Sequence, residues 1–270
     1  MSSAVDACLC TLLVAIMLCL PAQAESIKFN SLDGAFSVSA ELTLPPGINT
    51  GKWPAVVIVH GTGGIDERTN WFEQELPKLG IATFKVDFKT GIFKTAQNRP
   101  LNDRFLSASF AALKLLQDHG QIDPKKIGFI GFSLGGHQAL TTALTDNKTR
   151  WINERDGFAA HVSFYGGCKF FLRKLTSNSR ITAPMQLHWG SLDSFEDEEF
   201  CPKVPLAVAH KTIELFSYEG THHGFDGLNN GSYAEPNVVG KLAVFQANPA
   251  AAQLARSRSL TFFKQHLLQP

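Results

Sequence analysis

From residue 54 onward, mainly apolar, β-branched runs of five to eight residues alternate with stretches whose apolar side chains recur every three or four positions. The runs fall at 55–60, 81–88, 127–132, 161–165, 185–189 and 212–218. An apolar run without polar alternation predicts a strand buried on both faces, and the intervening helical patterns predict the elements that cover those faces. The expected fold class is therefore α/β, with a mostly parallel central sheet and helices on both sides. Ahead of this set, 26–30 and 36–44 read as an antiparallel pair around Asp33-Gly34. Residues 102–119 place Phe105, Phe110, Leu113 and Leu116 at helical spacing, with Gly120 as the stop. A second helix is expected over 134–144. A third, over 250–268, follows Pro249, with Phe262 and Phe263 inward and Arg256, Arg258 and Lys264 in solvent. Only a short stretch separates Tyr165 from Met185, so no large cap domain is expected there. The Gly, Asn and Pro content of 226–249 reads as a long surface loop.

Composition changes this picture little. With 44% apolar and 18% charged residues the chain has the makings of an ordinary core, and 25 Lys plus Arg against 24 Asp plus Glu give no field that would attract nucleic acid or an anionic membrane. The first residues stand apart. The run 8–20 is apolar but too short to span a bilayer as a helix, and it leads through Pro21 to Ala22-Gln23-Ala24, a small-x-small pattern. We read residues 1–24 as a signal peptide without a positively charged start, residues 25–270 as one domain, and the protein as exported, periplasmic or secreted, with no stable membrane anchor. Removing the leader leaves Cys168 and Cys201, an even pair in an oxidising compartment, each following an expected strand at the same edge of the sheet. A disulfide is expected.

The chemistry centres on Gly131-Phe132-Ser133-Leu134-Gly135, which follows the strand 127–132 and opens a helix. A serine at such a sharp strand-to-helix turn has its hydroxyl held out for attack, and the flanking glycines tolerate the crowding. Acyl transfer also needs a base, an acid that orients the base, and N–H groups aimed at the developing oxyanion. Asp193 follows the strand 185–189 and is preferred as acid over the charged cluster Glu196, Asp197, Glu198 and Glu199. His223, followed by Gly224-Phe225, is preferred as base over its neighbour His222. The segment His60-Gly61-Thr62-Gly63-Gly64 follows a buried strand and supplies Thr62, or failing it Gly63, as an oxyanion donor beside Leu134. It lacks the lysine pattern of a phosphate-binding loop. His60, His137, His161, His188 and His210 are read as packing residues, and neither a metal site nor a cofactor is expected.

Five segments, in order, carry a resemblance to a known family. They are 59–64, Ile122-Asp123-Pro124, 131–136, Phe164-Tyr165-Gly166 and His222-His223-Gly224-Phe225-Asp226. Together they resemble the dienelactone hydrolase family of α/β-hydrolases, over essentially all of the chain after the leader. The resemblance implies an α/β-hydrolase fold and a nucleophile, acid and base at Ser133, Asp193 and His223. One departure is plain: the namesake enzymes use cysteine and act on a small anionic lactone, whereas serine here points to ordinary ester or acyl hydrolysis. The expectation is thus a serine hydrolase of small-molecule esters or lactones, of undetermined oligomeric state. Phe132, Phe170, Phe195 and Phe225 are candidate contacts for an apolar substrate group. The alternatives are a peptidase of the same fold and a binding protein that has lost the chemistry.

Overall fold

The structure is a computed structural model that describes residues 23–47, 51–92, 100–153, 156–195, 200–208, 212–227, 232–236 and 242–269. The expected leader therefore lies outside the described residues except for Gln23 and Ala24, the first two residues of a strand. Strand β1 is Gln23–Asn30 and β2 is Ser37–Leu44. They are followed by β3 (Trp53–Val59), α1 (Glu67–Glu75), β4 (Ala82–Asp87), α2 (Phe88–Gly91), α3 (Leu101–Asp118), β5 (Ile122–Phe132), α4 (Leu134–Thr142) and α5 (Thr145–Ile152). The second half contains β6 (Ala160–Phe164), α6 (Cys168–Leu172), β7 (Met185–Gly190), α7 (Val204–Ala207), β8 (Ile213–Tyr218), β9 (Ser232–Pro236), β10 (Leu242–Gln246) and α8 (Pro249–Phe263).

The eight-stranded sheet runs β1-β2-β4-β3-β5-β6-β7-β8. β1, β2 and β4 pair antiparallel, and every pair from β4 to β8 is parallel. Side chains alternate across a strand, so one apolar run feeds two cores. Val57, Val59 and Phe129 point with Phe84 towards the Phe105, Phe110 and Leu113 face of α3. Val56, Ile58 and Ile130 join Phe72 of α1 and Phe262 and Phe263 of α8 on the other side. Burial of each such side chain contributes roughly 1.5–3 kcal/mol.

Three local expectations are corrected. α3 ends at His119 in an extended conformation, without needing Gly120. Arg256 is buried rather than solvated: it lies over the Trp71 ring and donates to the Asp226 carbonyl (2.6 Å). The segment after His223 contains a β9–β10 antiparallel hairpin, with Phe245 paired to Tyr233. Among the described residues no helix is long and apolar enough to cross a membrane.

Candidate active site

The turn from β5 into α4 carries Ser133 at φ 52°, ψ −112°. A side chain rarely adopts this conformation unless its surroundings enforce it. Here three neighbours do. A Cβ on Gly131 would stand 2.1 Å from the Gly135 carbonyl oxygen, one on Gly135 2.4 Å from that of Val59, and one on Gly136 2.4 Å from that of Phe164. Strands β3, β5 and β6 thus press on the elbow so closely that only hydrogen fits, and the Ser133 N–H is tied to the Phe164 carbonyl (2.9 Å).

The loops after β7 and β8 are laced together. Leu192 N–H donates to the Thr221 carbonyl (2.9 Å), Ser191 N–H to that of Tyr218 (3.0 Å), and Gly220 N–H to the Ser191 hydroxyl (2.9 Å). This lacing sets Asp193 against His223. Asp193 Oδ2 lies 2.8 Å from His223 Nδ1, while its Oδ1 accepts the Phe195 N–H (2.9 Å). A carboxylate can only accept, so Nδ1 carries the ring proton and Nε2 turns a lone pair to Ser133 Oγ, 2.9 Å away. His222 faces outward, its Nδ1 3.2 Å from the Leu192 carbonyl. Of the acidic competitors, 196–199 lie outside the described residues.

The glycine loop is held beside the serine. A Cβ on Gly61 would lie 3.3 Å from the Phe132 carbonyl oxygen and 3.4 Å from Ser133 Cβ. His60 Nδ1 donates to the Gly61 carbonyl (2.5 Å) while its Nε2 accepts the Phe88 N–H (3.0 Å), and Lys89 Nζ donates to the Gly63 carbonyl (2.8 Å). In a planar trans peptide, C=O and N–H point in opposite directions. With the Gly61 oxygen drawn to His60, the N–H of Thr62 is turned the other way. The Leu134 N–H is one of the unsatisfied donors of the first turn of α4, at the positive end of its dipole.

Around the imidazole stand Phe195, a candidate contact in the sequence, Tyr165 and Asp226, which lie in the family-resembling segments, and Arg68 and Phe245, which no sequence feature marks. The Tyr165 ring lies 4.6 Å from that of His223 and the Phe195 ring 4.5 Å on centroids, with Phe245 edge-on at 5.5 Å. Tyr165 has φ 42° and donates its hydroxyl to Asp226 Oδ1 (2.5 Å), while Arg68 Nη1 donates to that same hydroxyl (3.1 Å). Arg68 also forks onto Asp66, which caps α1 by accepting the Arg68 N–H (3.0 Å). Burial pushes the Tyr165 hydroxyl well above its ordinary pKa and raises that of Asp226, against the pull of Arg68 on both. For Arg68 itself burial opposes the charge, but Tyr165, Asp66 and Asp226 outweigh it and raise the guanidinium pKa. Phe132 and Phe225 belong to the core, and Phe170 is exposed. His137, His161 and His188 are held in the packing and His210 lies outside the described residues.

Cys168, at the start of α6, and Cys201, eight residues beyond Asp193, are joined by a disulfide with Cα atoms 5.1 Å apart.

Comparison with known proteins places this geometry in context. A Bradyrhizobium protein named "Probable 2-oxo-3-(5-oxofuran-2-ylidene)propanoate lactonase" is 25% identical over 263 residues, covering 90% of this chain and 96% of that one. A dienelactone hydrolase-like promiscuous phosphotriesterase from metagenomic libraries superposes with a TM-score of 0.65 at 19% identity, covering 90% of this chain and 98% of its own. Thermogutta terrifontis esterase 2, solved phosphorylated by paraoxon, does so with a TM-score of 0.64 at 17% identity, covering 92% and 96%. These two structures share the fold. The model of the dienelactone hydrolase family matches residues 38–267, and the chain belongs to that family, a hydrolase of the α/β-hydrolase superfamily.

Proposed function

We propose that the protein hydrolyses carboxylic esters or lactones through an acyl-enzyme on Ser133. The observation that carries this reading is the unbroken hydrogen-bonded line from Asp193 through His223 to a serine on a strained turn. In the first step the Ser133 hydroxyl proton passes to His223 Nε2 as Oγ bonds to the carbonyl carbon, and the carbonyl π electrons move onto oxygen. The N–H groups of Thr62 and Leu134 receive that oxyanion; each such donor typically contributes about 3 kcal/mol to the transition state. The bond to the leaving oxygen then breaks and that oxygen takes the proton from His223, while Asp193 steadies the imidazolium in between. A water molecule gives a proton to His223 as its oxygen bonds to the acyl carbon, the bond to Ser133 Oγ breaks, and Oγ takes that proton back from His223, which releases the acid and restores the serine. In a lactone the leaving alcohol stays tethered to the acyl group and departs with it.

No observation favours the peptidase or the chemically silent binder. The disulfide is compatible with an extracellular protein, which supports export. Incubation with a fluorophosphonate tests the central reading. Stoichiometric labelling that disappears in Ser133→Ala, together with loss of aryl-acetate hydrolysis, is expected; a folded wild-type protein that takes up no label overturns it.

A further inference from the structure

The hairpin that follows the base has no part in the three-residue line, yet it is built against it. Phe245 of β10 pairs backbone to backbone with His223, in a parallel bridge, and sets its ring edge-on to the imidazole at 89°. Phe195 closes the corner, 5.5 Å from Phe245 on ring centroids. Across the hairpin Tyr233 stacks flat on Phe245, with centroids 4.7 Å apart and planes within 4°, and it remains 59% exposed. Stacked aromatic rings with an open flank form a surface on which another planar ring gains attraction beyond its buried area.

A cavity of about 420 Å³ lies against this wall, within the size range of small-molecule sites. Its other boundaries include Gly63, Asp66, Glu67, Arg68 and Gly224. Gly63 directly follows Thr62, and Gly224 directly follows His223. A leaving alcohol must take its proton from His223 Nε2 while the carbonyl oxygen is held at the glycine loop, so it departs between these two segments. The cavity borders both. Its charged lining consists of two carboxylates, Asp66 and Glu67, against one guanidinium, and Arg68 already engages Asp66 and Tyr165. That balance disfavours an anionic ring.

We infer that this cavity is the leaving-group subsite and that it selects esters of neutral planar aromatic alcohols, with the Tyr233–Phe245 pair as the stacking wall. The inference rests on Ser133 being the nucleophile. Two acetates that share one acyl group, 2-naphthyl and ethyl, test it. Tyr233→Ala is expected to lower kcat/KM for 2-naphthyl acetate about five- to tenfold more than for ethyl acetate, and Tyr233→Phe to restore the wild-type ratio. 2-Naphthol is expected to inhibit competitively, and 6-hydroxy-2-naphthoate more weakly. An unchanged ratio in Tyr233→Ala, or tighter binding of the carboxylate, overturns the subsite while fluorophosphonate labelling of Ser133 still stands. Absence of labelling in wild type removes the nucleophile, and the subsite falls with it.

Discussion

Asp193 and Tyr165 act on the same imidazole by different physics, and substitution separates them. Asp193→Asn keeps the size of the side chain but offers Nδ1 a donor, which favours the tautomer whose Nε2 carries a proton and cannot receive one from Ser133. We expect kcat to fall by about 10⁴ with secondary structure retained by circular dichroism. Tyr165→Phe keeps the ring against His223 but removes the hydroxyl that bridges Arg68 and Asp226. Because Asp226 is fully buried, losing that partner is expected to cost about 1–3 kcal/mol, read as a lower urea midpoint, with kcat reduced and KM little changed. A midpoint equal to that of wild type would show that the bridge adds nothing. The glycines of the elbow belong to the same scale: Gly131 is crowded by the Gly135 carbonyl of the following helix, Gly135 and Gly136 by carbonyls of the adjacent strands β3 and β6, and the motif spells out that requirement residue by residue.

At the scale of elements, Asp193, the proposed acid, is carried by the loop after β7, and that loop is pinned at two places. One is the lacing to the base loop through Thr221 and Tyr218; the other is the disulfide from α6 to Cys201. The bridge closes a segment of 33 residues, for which loop entropy alone predicts about 3–4 kcal/mol of stabilisation. Cys168→Ser with Cys201→Ser is therefore expected to lower the unfolding free energy by that order, read from urea denaturation against wild type with its bridge intact. Wild type under reducing conditions should match the double variant. If the bridge also holds Asp193, kcat drops in both while fluorophosphonate labelling persists at a reduced rate. The hairpin β9–β10 is the counterpart on the base side. Its Tyr233 and Phe245 rings, stacked beside His223, form the wall of the proposed subsite.

The whole molecule carries its own pH dependence. His161 and His188 are fully buried, and burial lowers each to about 3, aided for His188 by the nearby charge of Arg258. His137 is lowered to about 4 by burial and by Lys174. The unfolded chain binds these protons near the ordinary value of 6.5, whereas the folded chain does not. Stability is therefore complete above pH 6.5 and falls as the pH drops from there towards 3. Between those limits His161 and His188 alone contribute a slope of roughly 3 kcal/mol per pH unit. Thermal midpoints that hardly move between pH 8 and 7 but decline steeply from 6 to 5 are expected. For His161, whose ring nitrogens both lack partners, His161→Phe should flatten that decline.

Much of this architecture is written in one-dimensional order. Buried strands are mainly apolar, so β3, the second half of β5, β6 and β7 are legible from their apolar, β-branched runs, and a loop after each such strand lies at one edge of the sheet. That rule brings the loops that carry Ser133, Asp193, His223 and the glycine segment to one edge, and with an even cysteine pair it points to the Cys168–Cys201 bridge. The choice between His222 and His223 was different in kind, because neighbours in sequence are equivalent until the Leu192 carbonyl and the Ser133 hydroxyl each take one. Tyr165, Arg68 and Asp226 meet across 61 and 97 positions, and no periodicity marks such a meeting. Arg256 looks solvated on a helical wheel and is buried because Trp71 and the Asp226 carbonyl happen to face it. The hairpin was hidden behind turn-forming residues, and its role arises from ring packing against His223. Local pattern encodes which elements form and where their ends lie; contacts between side chains on separate loops exist only once the sheet has brought those loops to one edge.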